Sequence, residues 1–112
     1  MNRETKETLR RYGITEKELL DISRTAHISP SRYVTGLVVY KHILGVVFYA
    51  TRLGVGLYNT MIYDIKAKKV LLGDHEYTRS DALSHMATSS VEYANCQAVV
   101  EESKNEHISS LL

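Results

Sequence analysis

The chain is poor in several residue types that often identify a class of protein. Its 112 residues include no tryptophan and only one phenylalanine, one proline and one cysteine. The single cysteine, Cys96, cannot form an intramolecular disulfide, and because it has no CxxC partner it argues against a thiolate metal site. The opening stretch MNRETKETLRRYG contains no apolar run of the kind found in signal peptides. These absences predict a protein of the reducing cytoplasm.

Long hydrophobic runs and cofactor motifs are also missing. The stretch GLVVYKHILGVV is short and is interrupted by Lys41 and His42, so it does not predict a membrane-spanning helix. The GVG at residues 54–56 lacks the third glycine and the following helix of a phosphate-binding loop. Asp81 and His85 are spaced by one helical turn, but no HExxH or CxxC pattern supplies further metal ligands. We therefore expect no metal, no cofactor and no enzymatic activity.

The residues that are present predict one modest globular domain spanning residues 1–112. Hydrophobic residues make up 44% of the chain and charged residues 24%, which is typical of a folded domain. Residues 1–52 carry nine basic and five acidic side chains, whereas residues 53–112 carry five basic and eight acidic ones. A basic front half suits a polyanionic partner, although it also suits an ordinary solvated surface.

Two helices are predicted near the start of the chain. Residues 3–12 are rich in Glu, Lys, Arg and Leu, and Gly13 supplies a natural helix end. The following stretch, ITEKELLDISRTAH, has Thr15 at the N-cap and Glu18 three residues later, which is the pattern of a capping box. Apolar residues at helical spacing continue from there to Ala26, which predicts an amphipathic helix.

The stretch SRYVTGLVVYKHIL, residues 31–44, has signals for two different structures. Ser29 and Pro30 suit an N-cap followed by the first position of a helix. The tyrosines, valines and threonine that follow instead favour a strand. The helix start signal leads us to expect a helix as far as Ile43, with the strand as the open alternative.

The rest of the chain predicts strands and a long helix. VVFYATRL and VGLYNTMIYDI have strand composition, and VLLG returns after the polar turn KAKK. Thr78 or Ser80 can cap a helix over DALSHMATSSVEYANCQAVVEESKNE, and residues 105–112 are expected to form a frayed tail. The apolar stripe of this helix is formed by Leu83, Met86, Ala87, Val91, Ala94 and Ala98. The predicted fold is α+β, with two or three N-terminal helices, a three-stranded antiparallel meander and a long C-terminal helix.

The stretch ISRTAHISPSRYVTGL resembles the helix-turn-helix of bacterial repressors. The positions of that pattern are filled by Ile22, Ser23, Ala26, His27, Ile28 and Ser29, and by Tyr33 and Leu37 on the inner side of the recognition helix. The chain departs from the pattern at His27, where glycine is usual because the turn tends to require a positive φ. Tyr33 is also bulkier than the Val or Ile that is common at its position.

The resemblance implies a small, non-catalytic DNA-binding regulator whose recognition helix enters the major groove. Arg32 would form a bidentate hydrogen-bonded contact with a guanine, and the polar side chains around it would contact phosphates. The following hairpin would act as a wing that brings its lysines to the adjacent backbone of the duplex DNA. The residues expected to contact DNA are Arg24, Ser29, Ser31, Arg32, Thr35, Lys41, Lys66, Lys68 and Lys69.

The second interpretation is a protein-binding inhibitor or adaptor, of the kind that phages and mobile elements encode. The stretch YVTGLVVYKHILGVV is apolar on nearly all sides, whereas a recognition helix should expose a polar face. The chain has eight tyrosines, whose aromatic area and polar tip suit contact surfaces. The residues expected on such a surface are Tyr40, Tyr49, Tyr58 and Tyr63. We further expect a homodimer formed through the C-terminal helix.

Overall fold

The computed structural model describes residues 3–27 and 29–111, with side chains through residue 96. Three helices and four strands follow one another along the chain. They are α1 (Arg3–Arg11), α2 (Glu16–Ala26), β1 (Ser31–Tyr40), β2 (Ile43–Arg52), β3 (Val55–Asp64), β4 (Lys69–Glu76) and α3 (Arg79–Leu111). The predicted α+β class is confirmed. The expected three-stranded meander is wrong by one strand, because β1 was not recognised.

The strands form one antiparallel meander in the order β1-β2-β3-β4. Two-residue turns join β1 to β2 and β2 to β3, and residues 65–68 join β3 to β4. Because consecutive strands are antiparallel, the first and third turns lie at the same end of the sheet, where the Ile65 N–H donates to the His42 carbonyl at 2.9 Å. We call this the lysine end and the opposite end, which carries the β2–β3 turn, the tyrosine end.

The expectation of a helix over residues 31–43 is wrong, because residues 31–40 form strand β1. Val34 pairs with Phe48 and Leu37 with Val46 along the neighbouring strand. Aromatic and β-branched side chains gain packing from such cross-strand pairs that they would lose in an isolated helix. The local helix signal at Ser29 is therefore overridden by pairing with a segment that lies later in the sequence.

The helix-turn-helix expected over residues 22–37 is absent, since only its first helix forms. His27 follows α2 in an extended conformation with φ −129°, not in the left-handed turn that the pattern requires. Its ring Nδ1 lies 3.1 Å from the Ser23 carbonyl oxygen and its Nε2 lies 2.9 Å from that of Thr60. His27 thus fastens the C-terminal end of α2 to strand β3.

Helices cover the sheet on both faces. The core between the sheet and the first two helices consists of Leu9, Leu19, Val34, Leu44, Val46, Phe48, Met61 and Tyr63. The core between the sheet and α3 consists of Ile43, Val47, Ile62, Ala82, Met86 and Ala94. Strand β2 lies between these two cores, and its residues 43–48 are all buried. A strand buried on both faces is hydrophobic along its whole length instead of alternating.

The predicted helix boundaries are confirmed by their capping bonds. The Glu18 N–H donates to Thr15 Oγ1 at 3.1 Å and Thr15 Oγ1 donates to Glu18 Oε1 at 3.2 Å. Helix α1 ends just before Gly13, whose φ is +69°. Thr78 caps α3 by accepting the Asp81 N–H at 3.1 Å. These local signals were sufficient because they depend only on neighbouring residues.

Two glycines allow α3 to lie close to the sheet. A Cβ atom at Gly36 would lie 2.7 Å from Leu83 Cδ2. At Gly45 it would lie 2.7 Å from Ser90 Oγ and 3.0 Å from Met86 Cβ. At Gly36 the Leu83 side chain could move aside, whereas at Gly45 a larger residue would press on Met86 Cβ and on the Met86 carbonyl oxygen at 3.3 Å and would displace the helix.

The predicted apolar stripe of α3 is partly confirmed. Met86 and Ala94 are fully buried and Leu83 packs at the edge of the core, but Ala87 and Val91 are exposed. The side chain of Ala98 lies outside the described residues. The small residues that do face the sheet allow the close approach that the sequence predicted.

Helix α3 contains 33 residues, or about 50 Å at 1.5 Å per residue, whereas a ten-residue strand spans about 33 Å. Its second half therefore continues beyond the sheet at the lysine end. The helix includes residues 105–111, for which a frayed tail was expected. The expected dimer contact through this helix falls in part on side chains outside the described residues. Among the described residues, no helix has the length and hydropathy to cross a membrane.

Replacing Gly45 by valine should destabilise the protein by about 1–3 kcal/mol, because its side chain would overpack the contact with Met86 and Ser90. The measurement is urea unfolding of the variant beside the parent. Arg52→Val is the matched control, since it places a valine on the same strand at an exposed position. A Gly45→Val protein as stable as the control would show that α3 does not lie against β2 as described.

Candidate protein-binding surface

Both serines expected to contact DNA accept a hydrogen bond within the protein, Ser29 through its backbone carbonyl and Ser31 through its hydroxyl. The Asn59 side-chain amide donates to the Ser29 carbonyl at 2.9 Å and to Ser31 Oγ at 3.0 Å. Ser31 and Asn59 are both buried. Arg24 lies on α2 and pairs with Asp21 at 3.0 Å. The two hydrogen bonds from Asn59 order the start of β1 against β3.

Arg32 and Thr35 lie on the exposed edge of the sheet, at the two bulges of β1. The Arg32 guanidinium donates to Thr51 Oγ1 at 3.1 Å. The Arg79 guanidinium donates to the Thr35 carbonyl at 2.7 Å and to the Thr35 hydroxyl at 3.1 Å. The two residues therefore hold β1 to β2 and to the start of α3.

The lysines expected to contact DNA lie together at the lysine end of the sheet. The turns at residues 41–42 and 65–68 are adjacent there, and strand β4 begins beside them. Lys41 lies over the Tyr40 ring, with Nζ 5.4 Å from the ring centroid. The four exposed lysines of this end are Lys41, Lys66, Lys68 and Lys69. The structure brings them together although the sequence assigned Lys41 to a recognition helix and the others to a wing.

Three aromatic rings cross the sheet at the tyrosine end, and we call them the tyrosine row: Tyr33, Tyr49 and Tyr58. Tyr33 on β1 stacks on Tyr49 of β2 with ring centroids 5.3 Å apart. Tyr49 meets Tyr58 of β3 edge to face at 5.8 Å. Both geometries are favourable for aromatic pairs. The row is therefore an ordered aromatic surface rather than three separate side chains.

The tyrosine row is partly accessible: Tyr33 is exposed, whereas Tyr49 and Tyr58 are half-buried and Tyr58 packs against the core between the sheet and α3. The first residue of α3 that is buried is Ala82, and Leu83 reaches the sheet at Gly36, which pairs with Val47. Tyr49 lies two residues farther along β2, toward the tyrosine end. Tyr33 retains 47% of its surface in solvent.

Only two of the four tyrosines expected on a contact surface belong to this row. Tyr49 and Tyr58 do, whereas Tyr40 lies near the lysine end under Lys41. Tyr63 is 8% exposed and belongs to the core on the opposite face of the sheet. The sequence could not separate these residues, because the face of each tyrosine depends on strand register and on which helix covers it.

The hairpin tip beyond the tyrosine row carries two exposed apolar residues. Leu53 is 97% exposed and Val55 is 59% exposed. Leu53 and Gly54 form the turn and have φ angles of 52° and 78°, as in a type I′ hairpin. Leucine is disfavoured at positive φ because its Cβ approaches the backbone. Glycine, asparagine and aspartate are the usual residues of such a turn.

Among the side chains that the structure describes, histidines, cysteines and carboxylates form no group of three or more that could hold a metal ion. Asp74 lies between His75 and His85, with nearest N–O distances of 3.9 and 4.0 Å. The other ring nitrogen of His85 lies 3.4 Å from Ser89 Oγ. Ser89 is only 6% exposed, so its hydroxyl is not accessible to a substrate. These residues connect α3 to the edge strand β4.

Sequence reasoning missed Tyr33, Leu53 and Val55. Tyr33 was assigned to the inner side of a helix, and that assignment failed together with the helix. The Leu53-Gly54 dipeptide lies between two strand-forming runs, but it is not one of the glycine, asparagine or aspartate pairs that signal a two-residue hairpin. Its exposed leucine could not have been read from composition.

No protein-family model, curated protein or solved structure matches the chain.

Tyr63 should ionise at a higher pH than the exposed tyrosines. Burial raises the pKa of its phenol above the ordinary 10.0, and the negative charges of Glu18 and Asp64 raise it further. Well below pH 10 the phenol is neutral in both states, so this difference has no effect on stability there. Above pH 10 the unfolded phenol ionises first, and the free energy of unfolding falls as the pH rises toward the folded pKa.

The measurement is a tyrosine titration by carbon-13 NMR, combined with urea unfolding above pH 10. Tyr63→Phe should remove the late-titrating signal and the associated part of the alkaline loss of stability. Tyr33→Phe is the control and should leave both in place. An early titration of Tyr63 would contradict its position in the core.

Proposed function

We propose that this protein is a non-catalytic protein-binding inhibitor or adaptor and that it contacts its partner with the tyrosine row and the hairpin tip. The observation that carries the proposal is an ordered aromatic row, exposed at Tyr33 and half-buried at Tyr49 and Tyr58, beside a turn whose leucine is 97% exposed. The aromatic area and polar tip of tyrosine suit contact with another protein.

The tyrosine row suits a protein partner because its rings are already ordered. Tyr33 and Tyr58 pack against the two sides of Tyr49, so little side-chain entropy remains to be lost on binding. Large aromatic residues are the side chains on which interface energy tends to concentrate. Within the described part of the chain, no hydrogen bond engages the hydroxyls of the row, which leaves them available to a partner.

Leu53 supports the same proposal through its backbone. Three non-glycine residues among those described have positive φ, namely Lys41, Leu53 and Lys68, and all three lie in hairpin turns. The two lysines keep solvated charged ends, whereas Leu53 exposes only hydrocarbon. A left-handed conformation costs a residue such as leucine about 1–2 kcal/mol. Because the Leu53 side chain is exposed, burial of its apolar surface does not offset this cost. A residue that does not contribute to stability at such a position suggests a functional role.

DNA binding has separate and weaker support. The four lysines at the lysine end favour contact with a phosphate backbone. The base contacts, however, were expected from a recognition helix, and that segment is strand β1. Binding to duplex DNA stays a prediction that rests on these lysines alone.

The proposal is tested by photo-cross-linking in cells that naturally produce the protein. A benzophenone amino acid placed at Tyr33 should give a discrete protein adduct, because this position lies at the accessible end of the row. The same group placed at Val91 is the control, since Val91 is comparably exposed at 37% but lies on α3. Introducing Leu53→Asn should reduce the adduct at position 33 without unfolding the protein.

Adducts of equal yield at positions 33 and 91, or an adduct at position 33 that Leu53→Asn does not change, would contradict the proposal. An adduct that nuclease removes would instead support contact with DNA.

A further inference from the structure

A groove follows the free edge of strand β1, on the half of the strand nearer the lysine end. Its volume is about 330 Å³, and its floor is formed by Gly36, Leu37 and Val39. Helix α1 forms one wall and the first turns of α3 form the other. Because β1 is the first strand of the meander, it pairs with β2 on one side only.

On the other half of the β1 edge, side chains of the protein itself form hydrogen bonds with the outward backbone groups. Glu16 Oε2 accepts the Val34 N–H at 3.3 Å, and the Arg79 guanidinium donates to the Thr35 carbonyl at 2.7 Å. Bulges at Arg32 and Thr35 further disturb the geometry that a neighbouring strand would need. Strand edges are commonly protected by such devices. The protection stops at Gly36.

Beyond Gly36 the strand is regular and its outward backbone groups are open. Tyr40 pairs with Ile43 across a two-residue turn, and the pair that flanks such a turn is hydrogen-bonded. Alternate residues then direct their N–H and C=O groups away from β2, which places those of Leu37 and Val39 at the free edge. Within the described residues, the backbone N–H and C=O groups of Leu37 and Val39 form no hydrogen bond. They have the spacing that an added strand requires.

The charges of the groove select the kind of strand it would accept. Arg11 and Arg79 lie in its walls against a single carboxylate, that of Glu4. Within the described residues, neither arginine forms an ion pair with a carboxylate, and all three of these side chains are exposed. An extended segment with an acidic residue would complement this surplus of positive charge.

We propose that the free edge of β1 at Leu37 and Val39 binds an extended, acidic segment of a partner protein as a fifth antiparallel or parallel strand. Side chains of the added strand alternate between the α1 wall and the α3 wall. The groove is separate from the tyrosine row and does not depend on it. Together the two surfaces would let the domain hold one partner in two places or two partners at once.

The test begins with short random peptides displayed on phage and selected on the full chain. Selected peptides should be rich in Asp or Glu and should shift the amide NMR signals of Leu37 and Val39. Val39→Pro removes an outward N–H without removing a bond to β2, a position at which an edge strand tolerates proline. This variant should bind the selected peptides about tenfold more weakly or worse.

A matched pair of arginine variants tests the charge. Arg11→Gln should weaken binding about threefold, whereas Arg10→Gln should not, because Arg10 does not line this groove. Retained amide protection of Val38 and Tyr40 would establish that Val39→Pro still forms β1, and Leu37→Pro provides an independent second variant. Leu53→Asn should leave peptide binding unchanged, which separates this site from the tyrosine row.

Three results would overturn the proposal. The first is a selection that yields no peptide able to distinguish the parent from Val39→Pro. The second is a set of shifted signals that lies away from Leu37 and Val39. The third is concentration-dependent self-association abolished by Val39→Pro, which would make the occupant a second copy of this chain.

Discussion

Burial of strand β2 on both faces is the constraint on which the rest of the structure depends. Residues 43–48 are all buried, so helices must pack on both sides of the sheet. Leu19 of α2 supplies one side and Met86 of α3 the other. Losing either helix would expose a continuous apolar strand to water, at roughly 25 cal/mol for each Å² of apolar surface. The two helical layers and the sheet are therefore interdependent.

The path of α3 determines which part of the sheet remains open. Gly36 and Gly45 fix where the helix can lie, and from there it runs toward the lysine end and beyond it. On that face of the tyrosine end, Tyr33 stays exposed, whereas Tyr49 and Tyr58 are half-buried. The surface proposed for partner binding thus depends on where α3 packs against the sheet to bury the core. The open half of the β1 edge lies between the same helix and α1.

The parts of the fold that the sequence predicted are those controlled by neighbouring residues. The capping box of Thr15 and Glu18 and the helix end at Gly13 are local interactions, and both were located correctly. Of the two caps expected for the last helix, Thr78 and Ser80, the structure has Thr78. Strand β1 was missed because Ser29 and Pro30 give a local helix signal. Its true structure depends on pairing with β2, which no local pattern reveals.

The candidate surface was harder to predict than the fold. Tyr49 and Tyr58 were identified, but they could not be distinguished from Tyr40 and Tyr63, because alternation along a strand does not say which face a helix will cover. Tyr33 was not placed on this surface because its segment was predicted to form a helix. Leu53 was not considered because an exposed leucine in a left-handed turn is unusual, and sequence patterns predict the usual residue.

We infer that Leu53 serves contact with a partner and not stability. The measurement is the free energy of unfolding of Leu53→Asn in urea, beside that of Lys68→Asn at the similar φ of 54°. Asparagine tolerates this conformation and favours the turn before glycine, so we expect Leu53→Asn to be more stable than the parent by about 1 kcal/mol. A Leu53→Asn protein less stable than the parent would contradict the claim, because Leu53 would then be serving the fold.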